Sequence, residues 1–332
     1  MSFETAKEIL DKEMSKDVKG TTYIELFGGE PFIAFDLIKQ IYDYVDANWH
    51  KKDWIMFATT NGTLVHGEIQ YWLKTHKRFI CGLSLDGTKA MQDYNRSNSF
   101  DKIDLEFFKK QYPFQAVKMT VSQKTLETLA KGVEFIHKQG FDVNCNLAFG
   151  IDWSDQNNKI ILERELKKLI EFYIKNPSIK PCSMLDMPIE HLGLDKDRTV
   201  MRKWCGTGTD MCAYYLDGRA YPCQFFMPIS AGEDKAAPMG TIEFKKDIPV
   251  SLLDEKCQKC DFIEACPTCY GSNYISTGSI YSKDDNLCEL TKIILKARSY
   301  FKAKQWLAGQ IKLNPKREQA LLRSIVKIQE NL

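Results

Sequence analysis

Along the first 175 residues the hydrophobic positions switch repeatedly between two spacings. TYIELF (22–27) is a short run of β-formers. After it, Phe32, Phe35, Ile38, Ile41, Tyr42 and Val45 recur at the spacing of one helical face, and Pro31 suits a first helical turn. The alternation continues. WIMFATT (54–60) reads as a strand and 64–76 as a helix; FICGLSL (79–85) reads as a strand and 101–111 as a short helix. FQAVKMTV (114–121) and FDVNCNLAFG (141–150) read as strands, followed by helices over 125–138, closed by Gly140, and 158–175. Five such units predict an α/β fold around a parallel sheet, open or curled into a barrel. A charged amphipathic helix, MSFETAKEILDKEMSK, precedes them. Residues 289–330 read as helical, with Leu290, Ile293, Ile294, Ala297 and Tyr300 as an apolar stripe suited to packing on a core.

Parallel α/β folds bind ligands at the C-terminal ends of their strands. Here those ends carry the tails GGEP, TTNGT, SLDG, TVSQ and GIDWSD. Any one tail is ordinary turn chemistry, but five at one rim predict the lining of a pocket. In GGEP, two glycines open the backbone to close approach, and Glu30 offers a carboxylate to an ammonium. The turn therefore suits an amino-acid-like group. Glu30 equally suits a helix N-cap, and the two roles are compatible. The spacing matches neither GxGxxG nor GxxxxGK[ST], so no phosphate fingerprint is present there.

Composition changes the picture at one point. Hydrophobic residues are 44%, charged residues 27%, and the net charge is +2, which excludes a nucleic-acid footprint. No apolar run is long enough to span a bilayer, and the N-terminus is not a signal peptide, so a cytoplasmic protein with no membrane partner is expected. The 11 cysteines are unevenly placed: eight fall within 84 residues, from Cys205 to Cys288. In a cytosolic chain such a cluster reads as metal ligands, because disulfides are rare there. Cys81, Cys145 and Cys182 stand apart and read as small buried hydrophobes.

A strand ending in GGEP, then TNG, then SLDG, within a parallel βα run, resembles the radical S-adenosylmethionine (SAM) enzymes. MQDYNRSN after SLDG resembles that family's HDxxR segment, with Gln92 in the histidine's place. The resemblance implies a partial (β/α)6 barrel lacking its first strand. It implies SAM contacts from Gly28, Gly29, Glu30, Thr60, Asn61, Ser84, Asp86 and Arg96, with Glu30 toward the SAM amino group and Ser84 and Arg96 toward its carboxylate. A guanidinium forks well onto a carboxylate. The plainer alternatives are a surface salt bridge for Arg96 and a strand-end hydroxyl for Ser84.

The C-terminal cysteines resemble a SPASM domain: Cys205-x12-Gly218-x4-Cys223, then Cys257-x2-Cys260-x5-Cys266-x2-Cys269, then Cys288. The last gap in the run is two residues where the family pattern has three. The resemblance implies two auxiliary [4Fe–4S] clusters, one held by Cys205, Cys212, Cys223 and Cys269, the other by Cys257, Cys260, Cys266 and Cys288. Zinc also accepts four thiolates, but two CxxC pairs only five residues apart do not match the usual zinc spacing.

The radical SAM family also needs a CxxxCxxC loop, whose three thiolates hold a third cluster with one iron open to SAM. No CxxxCxxC occurs in this chain; the loop and the first strand are expected upstream of Met1, leaving this chain alone inactive. A real inactive fragment, or a partner chain supplying the loop, are the alternatives. The expected organisation is a truncated barrel over 1–180, a linker over 181–201, a SPASM domain over 202–292 and a helical segment over 293–332. The resemblance implies hydrogen-atom abstraction from a peptide or protein, driven by reductive SAM cleavage with ferredoxin or flavodoxin as reductant. Crosslinking of a ribosomally made peptide is the favoured reaction. Sulfatase maturation is the alternative enzyme activity; there an aspartate follows the third cysteine, whereas Gln224 follows Cys223 here. A non-catalytic iron–sulfur electron carrier or peptide scaffold is the remaining alternative.

Overall fold

The computed structural model describes residues 1–194 and 199–332; residues 195–198, inside the expected linker, lie outside the described residues. The elements in chain order are α1 (Phe3–Met14), β1 (Thr22–Leu26), α2 (Phe35–Trp49), β2 (Trp54–Thr60), α3 (Gly67–Thr75), β3 (Phe79–Leu83), α4 (Lys89–Asn95), α5 (Leu105–Gln111), β4 (Val117–Val121), α6 (Gln123–Leu126), α7 (Leu129–Lys138), β5 (Val143–Leu147) and α8 (Asn157–Lys175). Then follow α9 (Ser183–Asp186), β6 (Val200–Arg202), β7 (Ala213–Tyr214), β8 (Ala220–Tyr221), α10 (Pro228–Ala231), β9 (Asp247–Pro249), α11 (Glu255–Gln258), α12 (Tyr270–Thr277), α13 (Asp285–Leu307) and α14 (Pro315–Asn331). The chain divides into two compact units. One holds 1–121, 131–146 and 214–219; the other holds 122–130, 147–213 and 220–332.

The first unit is built on the sheet. β1, β2 and β3 pair in parallel, with Ile24 beside Met56 and Ala58 beside Cys81. β3 passes the pairing on through a parallel bridge between Ser84 and Lys118, and the Leu85 N–H donates to the Lys118 carbonyl at 3.0 Å. β4 pairs with β5, so the strands stand side by side in the order in which the chain makes them. Side chains alternate across a strand. Trp54, Met56, Ala58 and Thr60 are buried on one face, together with Phe79, Cys81 and Leu83. Helices cover this face: Tyr42 of α2 meets Trp54 edge-on at 5.4 Å, and Trp72 of α3 meets Phe79 at 5.0 Å. The other face is open. Ile55, Phe57 and Thr59 are only half-buried, Asn144 and Asn146 are exposed, and Tyr23 keeps 71% of its surface. A parallel sheet is normally covered on both faces, so an open face is available for a ligand.

The second unit is mostly helical. Ile189, Leu192, Phe262, Ala265, Leu295, Leu321, Ile325 and Ile328 form its core, with Cys260 packed against the cluster.

Most expected elements are present, with shifted ends. The strands expected at 79–85 and 141–150 are shorter because their tails leave the ladder, and that expected at 114–121 starts late, at Val117, with Phe114 97% exposed. The helix expected at 125–138 is two pieces, α6 and α7. α4 was not anticipated and places the segment after SLDG on a helix. The stretch 289–330 is broken: Gly309 turns left-handed (φ 66°), and Asn314 caps α14 with Pro315 in its first turn. The buried line on α13 runs through Leu290, Ile294, Leu295, Arg298 and Phe301, while Tyr300, expected in the stripe, is half exposed.

Gly193 sits where a Cβ would collide with the backbone carbonyl of Ala320 on α14. Backbone cannot yield as a flexible side chain can. Gly193→Ala is expected to lower stability by about 2 kcal/mol, read as a fall in the denaturation midpoint. An unchanged midpoint would show that α14 shifts freely.

Candidate SAM rim and cysteine groups

Each unit carries one set of candidate residues. In the first, Glu30 leads from β1 into the short 3-10 turn at Pro31–Ala34 and caps it, its Oε1 accepting from the Phe32 N–H at 3.2 Å. The same carboxylate reaches the next strand end. Oε1 accepts from Thr60 Oγ1 at 2.7 Å, and Oε2 accepts from the Asn61 N–H at 2.8 Å. Thr60 is buried and its Oγ1 accepts in turn from the Gly62 N–H at 3.0 Å. Asn61 Oδ1 takes the Thr63 N–H at 2.9 Å and its hydroxyl at 2.7 Å. Gly28 and Gly29 are exposed, and a Cβ added to either would meet nothing within 4 Å. Neither has a positive φ. Their contribution is therefore bare, accessible backbone beside the Glu30 carboxylate, an arrangement suited to an ammonium.

Two strands along, Ser84 ends β3, buried, with no hydrogen bond to its hydroxyl among the described residues. Asp86 is 1% exposed. Its Oδ2 accepts from Arg96 Nε at 2.8 Å and from Asn95 Nδ2 at 3.1 Å; its Oδ1 accepts from Arg96 Nη2 at 3.1 Å and from the Thr120 N–H at 2.9 Å. Both oxygens are thus committed, and the carboxylate orients a guanidinium whose Nη1 is left over. Gln92, buried, holds the loop from below. Its Oε1 accepts from the Asp86 N–H at 2.7 Å, and its Nε2 donates to Ser99 Oγ at 3.0 Å. Sequence reasoning missed Asn95, Thr120 and Ser99. The signal was there in part, since Gln92, Asn95 and Arg96 fall on one face at helical spacing. Just beyond Arg96, Ser97 and Asn98 both adopt left-handed backbone, with φ of 52° and 56°, a strained turn of the kind found at functional sites.

All eight clustered cysteines belong to the second unit, and seven of them fall into two groups by the charges that they feel. Cys257, its thiol pushed up to about 11 by burial, then by the charges of Asp254, Cys266 and Cys288, marks the first. Burial likewise raises Cys288, which feels Cys266 and Cys260. The second neighbourhood is Cys205, Cys223 and Cys269: burial raises Cys223, which feels Cys205, and burial raises Cys269, which feels both. Cys212 is half-buried. Among the described residues no three Cys, His, Asp or Glu side chains converge on a single ion. A four-iron cube holds its thiolates further apart than one ion does.

The sulfurs also attract donors. The Ser272 N–H at the start of α12 lies 3.5 Å from Cys269 Sγ, and the Phe262 N–H lies 3.4 Å from Cys260 Sγ. Thr207 Oγ1 is 3.2 Å from Cys205 Sγ, and Lys283 Nζ donates to Cys266 Sγ at 3.3 Å. Donors aimed at sulfur suit anionic thiolates, such as those of a cluster, better than neutral thiols.

No family model matches the chain. It is 24% identical over 290 residues to the cysteine-type anaerobic sulfatase-maturating enzyme of Clostridium perfringens (strain ATCC 13124), covering 78% of this chain and 76% of the relative. Among solved structures it is similar to native anSMEcpe with bound AdoMet and Cp18Cys peptide, with a TM-score of 0.69, 21% identity, and coverage of 94% and 92%. It is also similar to Streptococcus suis SuiB bound to S-adenosylmethionine, with a TM-score of 0.51, 18% identity, and coverage of 85% and 69%. The shared fold is mixed α/β, as the sequence pattern implied. Sulfatase maturases are a branch of the family that GGEP, SLDG and the cysteine spacing resemble, and that resemblance is borne out.

Removing the carboxylate of Asp86 would leave Arg96 and the Thr120 N–H without their partner. Asp86→Ala is expected to cost about 3 kcal/mol by chemical denaturation. Asp36→Ala, which removes an 88% exposed carboxylate paired with Lys39, is expected to cost well under 1 kcal/mol. Equal effects would show that the Asp86 cluster is not a structural keystone.

Proposed function

We propose that this chain forms most of a radical SAM enzyme that modifies a peptide or protein side chain, and that it carries two auxiliary [4Fe–4S] clusters. The observation that carries the reading is the separation of the clustered cysteines into two neighbourhoods, Cys257, Cys260, Cys266 and Cys288 in one, Cys205, Cys223 and Cys269 in the other. Cys212 completes the second set. In domain terms the reading is a partial (β/α)6 barrel over 1–180, a linker over 181–201, a SPASM domain over 202–292 and a helical segment over 293–332.

The residues at the rim divide the work. Glu30, held by Thr60 and the Asn61 N–H, faces the ammonium of a methionine-like group, with Gly28 and Gly29 giving it room. Arg96, oriented by Asp86, turns its free edge to the carboxylate, and Ser84 adds a hydroxyl. SAM, when bound and reduced, supplies hydrogen-atom abstraction from an unactivated carbon. The open sheet face, with Tyr23, Phe57, Lys118 and Asn144, receives the peptide. Ferredoxin or flavodoxin serves as reductant.

Crosslinking of a precursor peptide is the favoured reaction. Gln224, directly after Cys223, accepts no proton at neutral pH and is a poor base, which counts against sulfatase maturation. Sulfatase maturation is the second reading, favoured by the Clostridium relative.

The test is anaerobic mass spectrometry with SAM and a reductant. No CxxxCxxC occurs in these residues, so the assay joins the protein to the segment or partner that carries one. The expected product is a cysteine-containing peptide that has lost two hydrogens. Turnover of a sulfatase-derived cysteine peptide instead would support the second reading, and no SAM-dependent change in either peptide would defeat both. Separately, Glu30→Ala is expected to weaken SAM binding at least tenfold by calorimetry; unchanged affinity would remove Glu30 from the site.

A further inference from the structure

The second unit contains two buried cations that no carboxylate balances, and one of them, Lys283, lies against the neighbourhood of Cys257, Cys260, Cys266 and Cys288. Lys283 is 8% exposed and Arg298 is 4% exposed. Lys283 Nζ donates to Thr291 Oγ1 at 2.8 Å, to Cys266 Sγ at 3.3 Å and to the Pro267 carbonyl at 3.4 Å. Arg298 Nε donates to the Met184 carbonyl at 2.7 Å. Burial pushes the Arg298 guanidinium down to about 10, against the opposing pull of Cys182 and Cys266. Among the described residues neither cation forms an ion pair with Asp or Glu. Two other lysines nearby do: Lys256 pairs with Asp254 and Asp285, and Lys292 pairs with Glu289. An unpaired buried charge is costly, so burying Lys283 against a cysteine sulfur favours an anion there.

Resting on the iron–sulfur reading above, we propose that Lys283 is the charge-balancing residue of the cluster at Cys257, Cys260, Cys266 and Cys288, and that it raises its reduction potential. A four-thiolate cluster is anionic and gains one further negative charge when it takes up an electron. A fixed cation against a ligating sulfur stabilises the reduced state more than the oxidised one. At the other neighbourhood the nearby cation is Lys203, which is only half-buried and, among the described residues, donates to Thr209 Oγ1 at 2.7 Å and to the Thr207 carbonyl but to no cysteine sulfur. The cluster beside Lys283 is therefore the more easily reduced of the two, and the natural resting place for an electron arriving from either side. Lys283 acts through the cluster and is a positioning residue.

The test is a dithionite titration of the chain, reconstituted with iron and sulfide, followed by electron paramagnetic resonance. The wild-type protein is expected to show two cluster signals with separate midpoint potentials. Lys283→Met is expected to lower the higher midpoint and leave the other in place, with iron content unchanged; Lys283→Arg is expected to restore it. Lys283→Gln keeps an N–H donor for Cys266 and removes only the charge, so it carries the same measurement if the methionine variant loses iron. An unchanged midpoint in an iron-replete Met or Gln variant overturns the proposal, as does loss of iron in both when Lys283→Arg also fails to hold it. Wild-type protein that binds zinc and no iron defeats the iron–sulfur reading itself, a result distinct from a failure of Lys283 to tune it.

Discussion

Two carboxylates hold the rim of the sheet. Glu30 ties the end of β1 to the end of β2, and Asp86 ties the loop after β3 to β4 and to α4. Strand ends are where a parallel sheet stops supplying backbone partners, so loops there need another anchor. Here it comes from side chains that are spent on protein donors before any ligand arrives. The consequence is preorganisation: Asp86 fixes the Arg96 guanidinium, and Thr60 and the Asn61 N–H fix the Glu30 carboxylate beside the bare Gly28–Gly29 backbone. A group binding at such a rim would meet donors already in place.

The second unit works by a different rule. Cys257, Cys260, Cys266 and Cys269 are drawn from a run of short elements, α11, the start of α12 and the turns between them, that have little regular structure to hold them, while Cys288 lies on α13. What organises them is the helical core under Leu321, Ile325 and Leu295, against which Cys260 packs. The buried cations in the same region are consistent with a unit whose stability is shared with an anionic occupant. Tyr270 adds to this picture: it is buried, and its phenol is pushed up by burial while feeling both Cys205 and Cys266. It is therefore a common neighbour of the two cysteine groups.

The repeat of strand and helix was legible in the sequence because period-two and period-3.6 patterns are local. The GGEP, TNG and SLDG tails were legible because such turn residues and carboxylates recur at successive strand ends on one rim, although each alone is ordinary turn chemistry. Their division of labour was not. Asp86 read as a ligand contact, but its oxygens are taken by Arg96, Asn95 and Thr120, which lie 9 to 34 residues away along the chain. No local pattern announces which of two charged residues points at the other. The breaks were equally hidden: Gly309 and Asn314 interrupt a stretch whose polarity is helical throughout.

By itself, then, the sequence determined the α/β alternation, the resemblance to radical SAM enzymes and the eight-cysteine cluster, all of which rest on residue type and spacing. Tertiary structure alone decided which face of the sheet stays open, which cysteines become neighbours and which cations are buried. Nothing in the local sequence marks Lys283 or Arg298 for burial, and Tyr300, expected in the apolar stripe on α13, is half exposed. Burial of a charge depends on what packs over it from distant parts of the chain, and that is a property no stretch of sequence carries alone.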